Sequence, residues 1–234
     1  MVRDIFLAMT AAEIYGSERM PQRLGYMACH FSPYGRGLSN LPEQLPAGSM
    51  LILNDRIPIS GHDPERIGAQ LAEAVDRLAC SCLLLDLQRE NVEETKALCS
   101  RLLEDPPCPV GISESYALDG AAVFLPPVPL LISLEEHCSK WAGREIWLEV
   151  APEYEKFSIR EDGCQKMPLP YQEPDRETFR EDALHCRYFQ EIYADRIDFH
   201  IYRNKEDISQ MLDAGRTLGI TKAVGLNQQW SSVH

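Results

Sequence analysis

Apolar residues recur along this chain in two alternating rhythms. Strand-length apolar runs stand at 23–31, 49–55, 82–90, 109–115, 121–127, 145–151, 196–203 and 220–229. Between several of them the period changes to that of an amphipathic helix. In 63–79, Ile67, Leu71, Ala74, Val75 and Leu78 share one face, with Asp63 as the cap and Pro64 at the first helical position. Helices are also predicted over 91–105, with Asn91 and Glu94 as a capping pair, over 133–143, closed by Gly143, and over 204–219. Repeated strand–helix alternation with strands apolar on both faces predicts a parallel sheet covered by helices. Eight such strands, near residues 25, 50, 83, 110, 122, 146, 198 and 222, predict an α/β fold: a (β/α)8 TIM barrel occupying 1–234 as one domain. The barrel is lean, because 34–48 and 116–120 are too short or too rich in Pro and Gly for full helices. A doubly wound open sheet is the alternative.

Residues 152–193 break the rhythm. Apolar and polar positions alternate on both sides of Asp162-Gly163, a strong hairpin signal, and again over 185–193. A small antiparallel insertion before strand seven is expected here, with a helix over 175–192 as the alternative.

The run "SCLLLDLQRE" (81–90) carries the candidate chemistry. Side chains of a strand alternate between faces, so Leu83, Leu85 and Leu87 should pack under the outer helices. Leu84, Asp86, Gln88 and Glu90 should face inward, with Glu90 at the C-terminal end, where barrels of this type place their sites. The other strand ends would add His30 and Tyr34, Asn54 and Asp55, Ser113, Glu114 and Tyr116, Glu149, Glu153 and Tyr154, His200, Tyr202 and Arg203, and Asn227, Gln228 and Trp230. Carboxylates, amides and aromatics converging on one mouth suit a sugar, whose hydroxyls need planar hydrogen-bond partners and whose ring faces need flat walls. Simpler roles stand beside these. Glu90 also fits an acid at a helix start, and Asp86 a buried carboxylate paired with Arg56 or Arg203.

Composition narrows the classes. A net charge of −13 disfavours nucleic acid and anionic lipid as partners. The apolar patch near the N-terminus is broken by Glu13 and is too short for a signal peptide, and no run approaches a membrane span. Eight cysteines, at 29, 80, 82, 99, 108, 138, 164 and 186, form no C-x-x-C pair, so reduced thiols, a cytoplasmic location and no metal or cofactor are expected. Walker, zincin, dinucleotide-binding and nucleophile-elbow motifs are absent.

The 83–90 segment resembles the D-x-x-D-x-D-x-E strand of family 18 glycoside hydrolases, the chitinase-like barrels. Aligned on its last acid, it reads Leu83, Asp86, Gln88, Glu90. The resemblance implies Glu90 as general acid and Asp86 as its modulator. Gln88 stands where the family has the Asp that steadies the substrate's acetamide, and Leu83 replaces the first Asp. The strand count places the segment on strand three, whereas the family uses strand four. Gln88, Glu114, Glu149, Tyr202, Asn54 and Gln228 would orient an oligosaccharide. Gln88 brings no charge, so a carbohydrate-binding barrel without catalysis is a second reading. A different barrel enzyme with His30 or His200 as base is a third.

Overall fold

The computed structural model describes residues 5–33 and 37–231. Eight parallel strands close into a barrel: Ile5–Met9, Leu24–Phe31, Met50–Asn54, Cys82–Asp86, Val110–Ser113, Ala122–Leu125, Ile146–Glu149 and Ile220–Leu226. Each is bonded to the next, and the last returns to the first. Two differences from expectation share one cause. The first barrel strand is Ile5–Met9, within the short apolar patch weighed above as a leader. The strand near 198 lies outside the barrel. Ile5–Met9 is apolar at every position and almost wholly buried, as a strand covered on both faces must be. Ile197–Arg203 alternates instead, placing Asp198, His200 and Tyr202 on one face, and pairs antiparallel on both sides. The 82–86 strand is consequently barrel strand four, not three.

The antiparallel sheet is larger than the expected 152–193 insertion. It comprises Glu153–Arg160, Gly163–Pro168, Phe179–Glu181, Cys186–Ile192 and Ile197–Arg203, and it precedes the eighth barrel strand. Its first hairpin turns at Glu161-Asp162, one residue before the expected Asp162-Gly163, and Gly163, which pairs with Arg160, has φ 148°, a conformation open to glycine at little cost. Residues 186–192 are strand, so the helical alternative for 175–192 does not hold.

Inside the barrel, Phe6, Met50, Ile52, Leu84, Phe124 and Trp147 form a buried apolar plug. Gly111 makes room for Trp147: a Cβ there would lie 2.2 Å from the indole. Leu83, Leu85 and Leu87 pack outward with Leu71 and Leu98 of the covering helices. A second outer cluster gathers Leu125, Leu148, Ile208 and Met211 on the far side.

The helices begin where polar side chains satisfy their free N–H groups. Asp63 caps Pro64–Arg77, and Asn204 forms a reciprocal capping box with Asp207 at the start of Lys205–Gly215. The expected Asn91 cap is not formed. The helix there runs Glu93–Glu104, and Asn91 takes a left-handed φ of 58° in the preceding loop. The helix expected over 133–143 is short, Leu134–Cys138, followed by a 3-10 turn.

Candidate functional site at the barrel mouth

Among the described residues, two hollows open at the C-terminal ends of the strands. The larger, of about 780 Å³, is lined by Asp86, Gln88, Asn54, Asp55 and His30, with Arg56 and Arg89 at its edge. The smaller, of about 470 Å³, lies between barrel strand seven and the antiparallel sheet and is lined by Glu149, Glu153, Tyr154, Tyr171 and Gln229.

Asp86 is half-buried on the inward face of strand four, continuing the row of Cys82 and Leu84. Its Oδ1 accepts a hydrogen bond from Gln88 Nε2 at 2.6 Å. Burial raises its pKa, against the Gln88 bond, and the nearby charge of Asp55 adds to the rise. Glu149 ends strand seven. Burial, then the charges of Asp86 and Glu153, push its carboxyl up to about 7. The charge of Asp86 thus acts on Glu149, and the two carboxyls line different hollows. Glu153 is also pushed up by burial, although Arg203 Nη1 stands 3.6 Å away and pulls the other way.

Glu90 departs from the expected inward row. The regular strand stops at Asp86, and the loop after it is held by cross-strand bonds. Leu87 N donates to Ser113 Oγ at 2.8 Å, and Gln88 N and Arg89 N donate to the two carboxylate oxygens of buried Asp55 at 2.9 and 2.8 Å. Tyr116, also buried, donates its hydroxyl to Arg89 O and accepts from Val92 N. This clamp bends the chain, so the period-two argument fails beyond Gln88. Glu90 is exposed and lines neither hollow.

Asn54 reaches the larger hollow, but its amide is committed. Nδ2 donates to Met27 O and Cys29 O at 2.9 and 3.0 Å, stitching the irregular register between strands two and three. Glu114 sits in a 3-10 turn, 3.9 Å from Lys140, outside both hollows. Tyr202 is buried in the antiparallel sheet, where its hydroxyl donates to Thr178 Oγ1 at 3.2 Å. Gln228 is exposed and bonded to Glu13, while its neighbour Gln229 lines the smaller hollow. Arg203 is a buried staple, donating to Val128 O, Leu184 O and His185 O. Trp230 donates its indole N–H to Val150 O. Tyr34 lies outside the described residues. Tyr171 belongs to no periodic segment, and Gln229, expected at the end of the last strand, lies instead in the short helix Asn227–Ser231.

Among the described residues, one group of His, Asp and Glu side chains comes within reach of a common point: Glu191, Asp198 and His200. Cations of the protein already occupy this neighbourhood. Lys156 and Arg196 stand 3.5 and 3.2 Å from Asp198, and Arg176 stands 3.1 Å from Glu191. The group is an ion-pair network, and a divalent ion would have to displace these side chains.

No protein-family model matches the sequence, and no curated protein matches it. Solved structures do share the fold. The spore cortex-lytic enzyme SleL of Bacillus cereus is similar over 97% of this chain and 72% of its own, with a TM-score of 0.57 and 7% identity. SleL of Bacillus megaterium gives a TM-score of 0.57 at 9% identity, over 98% of this chain and 72% of its own. A chitinase from Chromobacterium violaceum gives 0.55 at 9% identity, over 98% of both chains. At such identities the likeness is one of fold.

Proposed function

We propose that this barrel acts on a carbohydrate as a glycoside hydrolase, with Glu149 as the proton donor and Asp86 as the second carboxylate. One observation carries the reading: a half-buried carboxyl at the barrel mouth, pushed to about 7 by burial and by the charge of Asp86. Hydrolysis of a glycosidic bond needs a carboxylic acid still protonated near neutral pH, and a carboxylate to stabilise the sugar cation or activate water. Burial raises both carboxyls, and the charge of Asp86 raises Glu149 further, which gives the proton to Glu149 and the negative charge to Asp86. The fold shared with a cortex-lytic enzyme and a chitinase supports a sugar polymer as the substrate class. This reading moves the acid role from Glu90, which is exposed, to Glu149. Eight unpaired thiols fit a reducing compartment such as the cytoplasm.

A second reading, binding without turnover, draws on the Gln88–Asp86 bond, which occupies one oxygen of the carboxylate. Release of a chromophore from aryl N-acetylglucosaminides separates the two. A hydrolase turns over, loses activity in Glu149→Gln, keeps it in Glu90→Gln, and declines above about pH 7 as Glu149 ionises. Sugar-dependent stabilisation without turnover would establish the second reading. Neither turnover nor stabilisation with any sugar offered would end both.

A further inference from the structure

Tyr154 lines the smaller hollow, and its hydroxyl is 2.9 Å from Nδ1 of His200. His200 belongs to the antiparallel sheet and is about nine-tenths buried. Its ring stacks on Phe189, with centroids 4.4 Å apart and planes inclined by 7°. The other ring nitrogen, Nε2, faces Glu191 Oε2 at 3.4 Å, close to the carboxylate but outside well-formed hydrogen-bond geometry. Glu191 is fixed in turn by Arg176 at 3.1 Å and by the Tyr193 hydroxyl at 2.9 Å. A line of three groups thus runs from the hollow into the sheet.

The proton inventory of that line is constrained. An ionised carboxylate only accepts, so a bare Nε2 opposite Glu191 would set two lone pairs against each other. The neutral ring therefore carries its proton on Nε2, and Nδ1 is the acceptor. The Tyr154 hydroxyl must then donate to Nδ1. We infer that His200 and Glu191 are positioning residues that turn the Tyr154 proton away from the hollow, so that Tyr154 meets a ligand as a hydrogen-bond acceptor. Its partners would be ligand donors, a sugar hydroxyl or an amide N–H. The assignment of a sugar rests on the function proposed above; the direction of the proton does not.

The device has a built-in reversal. Protonated His200 carries N–H on both nitrogens, so Nδ1 donates to Tyr154 and frees the tyrosine proton to point elsewhere. The charged groups around the ring act in both directions. Burial holds the His200 pKa below its usual value, Lys156 assists, and Glu191 and Asp198 oppose. Arg176 lies over the stacked Phe189 ring. The ring is consequently neutral near pH 7, and the acceptor state of Tyr154 is lost on acidification.

Long-range nitrogen NMR of the full, uniformly 15N-labelled chain reads the ring directly. The expected spectrum at about pH 7.5 has His200 protonated on Nε2 and bare at Nδ1, and Tyr154→Phe shifts the Nδ1 signal while leaving Nε2 protonated. A proton on Nδ1 in the wild type overturns the inference without requiring any variant to fold. Binding of the N-acetylglucosamine trimer gives the second readout. The expected loss in Tyr154→Phe at about pH 7.5 is on the order of tenfold, as for one hydrogen bond. That loss should shrink as His200 protonates in the wild type. A pH-independent loss would also overturn the inference. A wild-type protein that ignores the trimer but shows the Nε2–H ring would sink the proposed sugar function and leave the proton direction standing.

Discussion

Replacing Glu149 with Gln measures what the acid pair costs the fold. The folded state holds the Glu149 proton up to about 7, whereas the ordinary carboxyl releases it at 4.5. Between those values the native protein binds more protons than the unfolded chain, so stability falls as pH rises through the window. At about 1.4 kcal/mol per pH unit the full interval amounts to roughly 3 kcal/mol. Solvent in the hollow screens part of it, which leaves about 2 kcal/mol. Gln has the same shape and no charge, so Glu149→Gln should be more stable than wild type by about 2 kcal/mol at roughly pH 8 and equally stable near pH 4. In thermal terms the gain is about 4–8 °C. Urea unfolding at a series of pH values, with an unchanged m value, provides the measurement. Adding Asp86→Asn should shrink the gain, since it removes one source of the repulsion. A difference that stays constant with pH, or destabilisation at alkaline pH, would refute the coupled-acid account.

Two further outcomes follow from the geometry. Asp55→Ala removes the acceptor for the Gln88 and Arg89 N–H groups; the expected loss is about 2–3 kcal/mol in chemical denaturation, because water rescues part of an exposed loop. Loss of less than about 0.5 kcal/mol would mean that the Asp55 clamp does not hold the loop. Gly111→Ala would place a methyl 2.2 Å from the Trp147 ring; the expected outcome is a loss of about 3 kcal/mol or more, with a changed near-UV signal from the displaced indole. An unaffected protein would show that the barrel interior is less tightly filled than the Trp147 packing implies.

Much of the fold was legible in the chain because burial on both faces leaves a mark in one dimension. Apolar runs of strand length identified seven of the eight barrel strands, and Asp162-Gly163 located the first hairpin to within one residue. Asp63 marked its helix start for the same local reason: a cap acts on N–H groups two or three residues away. The one exchanged strand shows the limit. Residues 5–9 and 197–203 are both strands; the first is apolar throughout and closes the barrel, whereas the second alternates and pairs antiparallel on both sides, a difference that length and apolar content alone do not show.

The site divides along the same line. Asp86 faces inward as strand alternation requires, because five residues of regular ladder, Cys82–Asp86, keep the period at two. Glu90 does not, because Asp55, Ser113 and Tyr116, from neighbouring strand ends, bend the backbone between them. The sequence alone determined a barrel with an acidic residue at its mouth, since periodicity and composition are properties of the chain. Tertiary structure decided that burial and the charge of Asp86 push the Glu149 carboxyl up to about 7 and that Tyr154 is tied to His200 and Glu191. Burial and the charge of a group far away in sequence create both, and neither exists until the chain closes on itself.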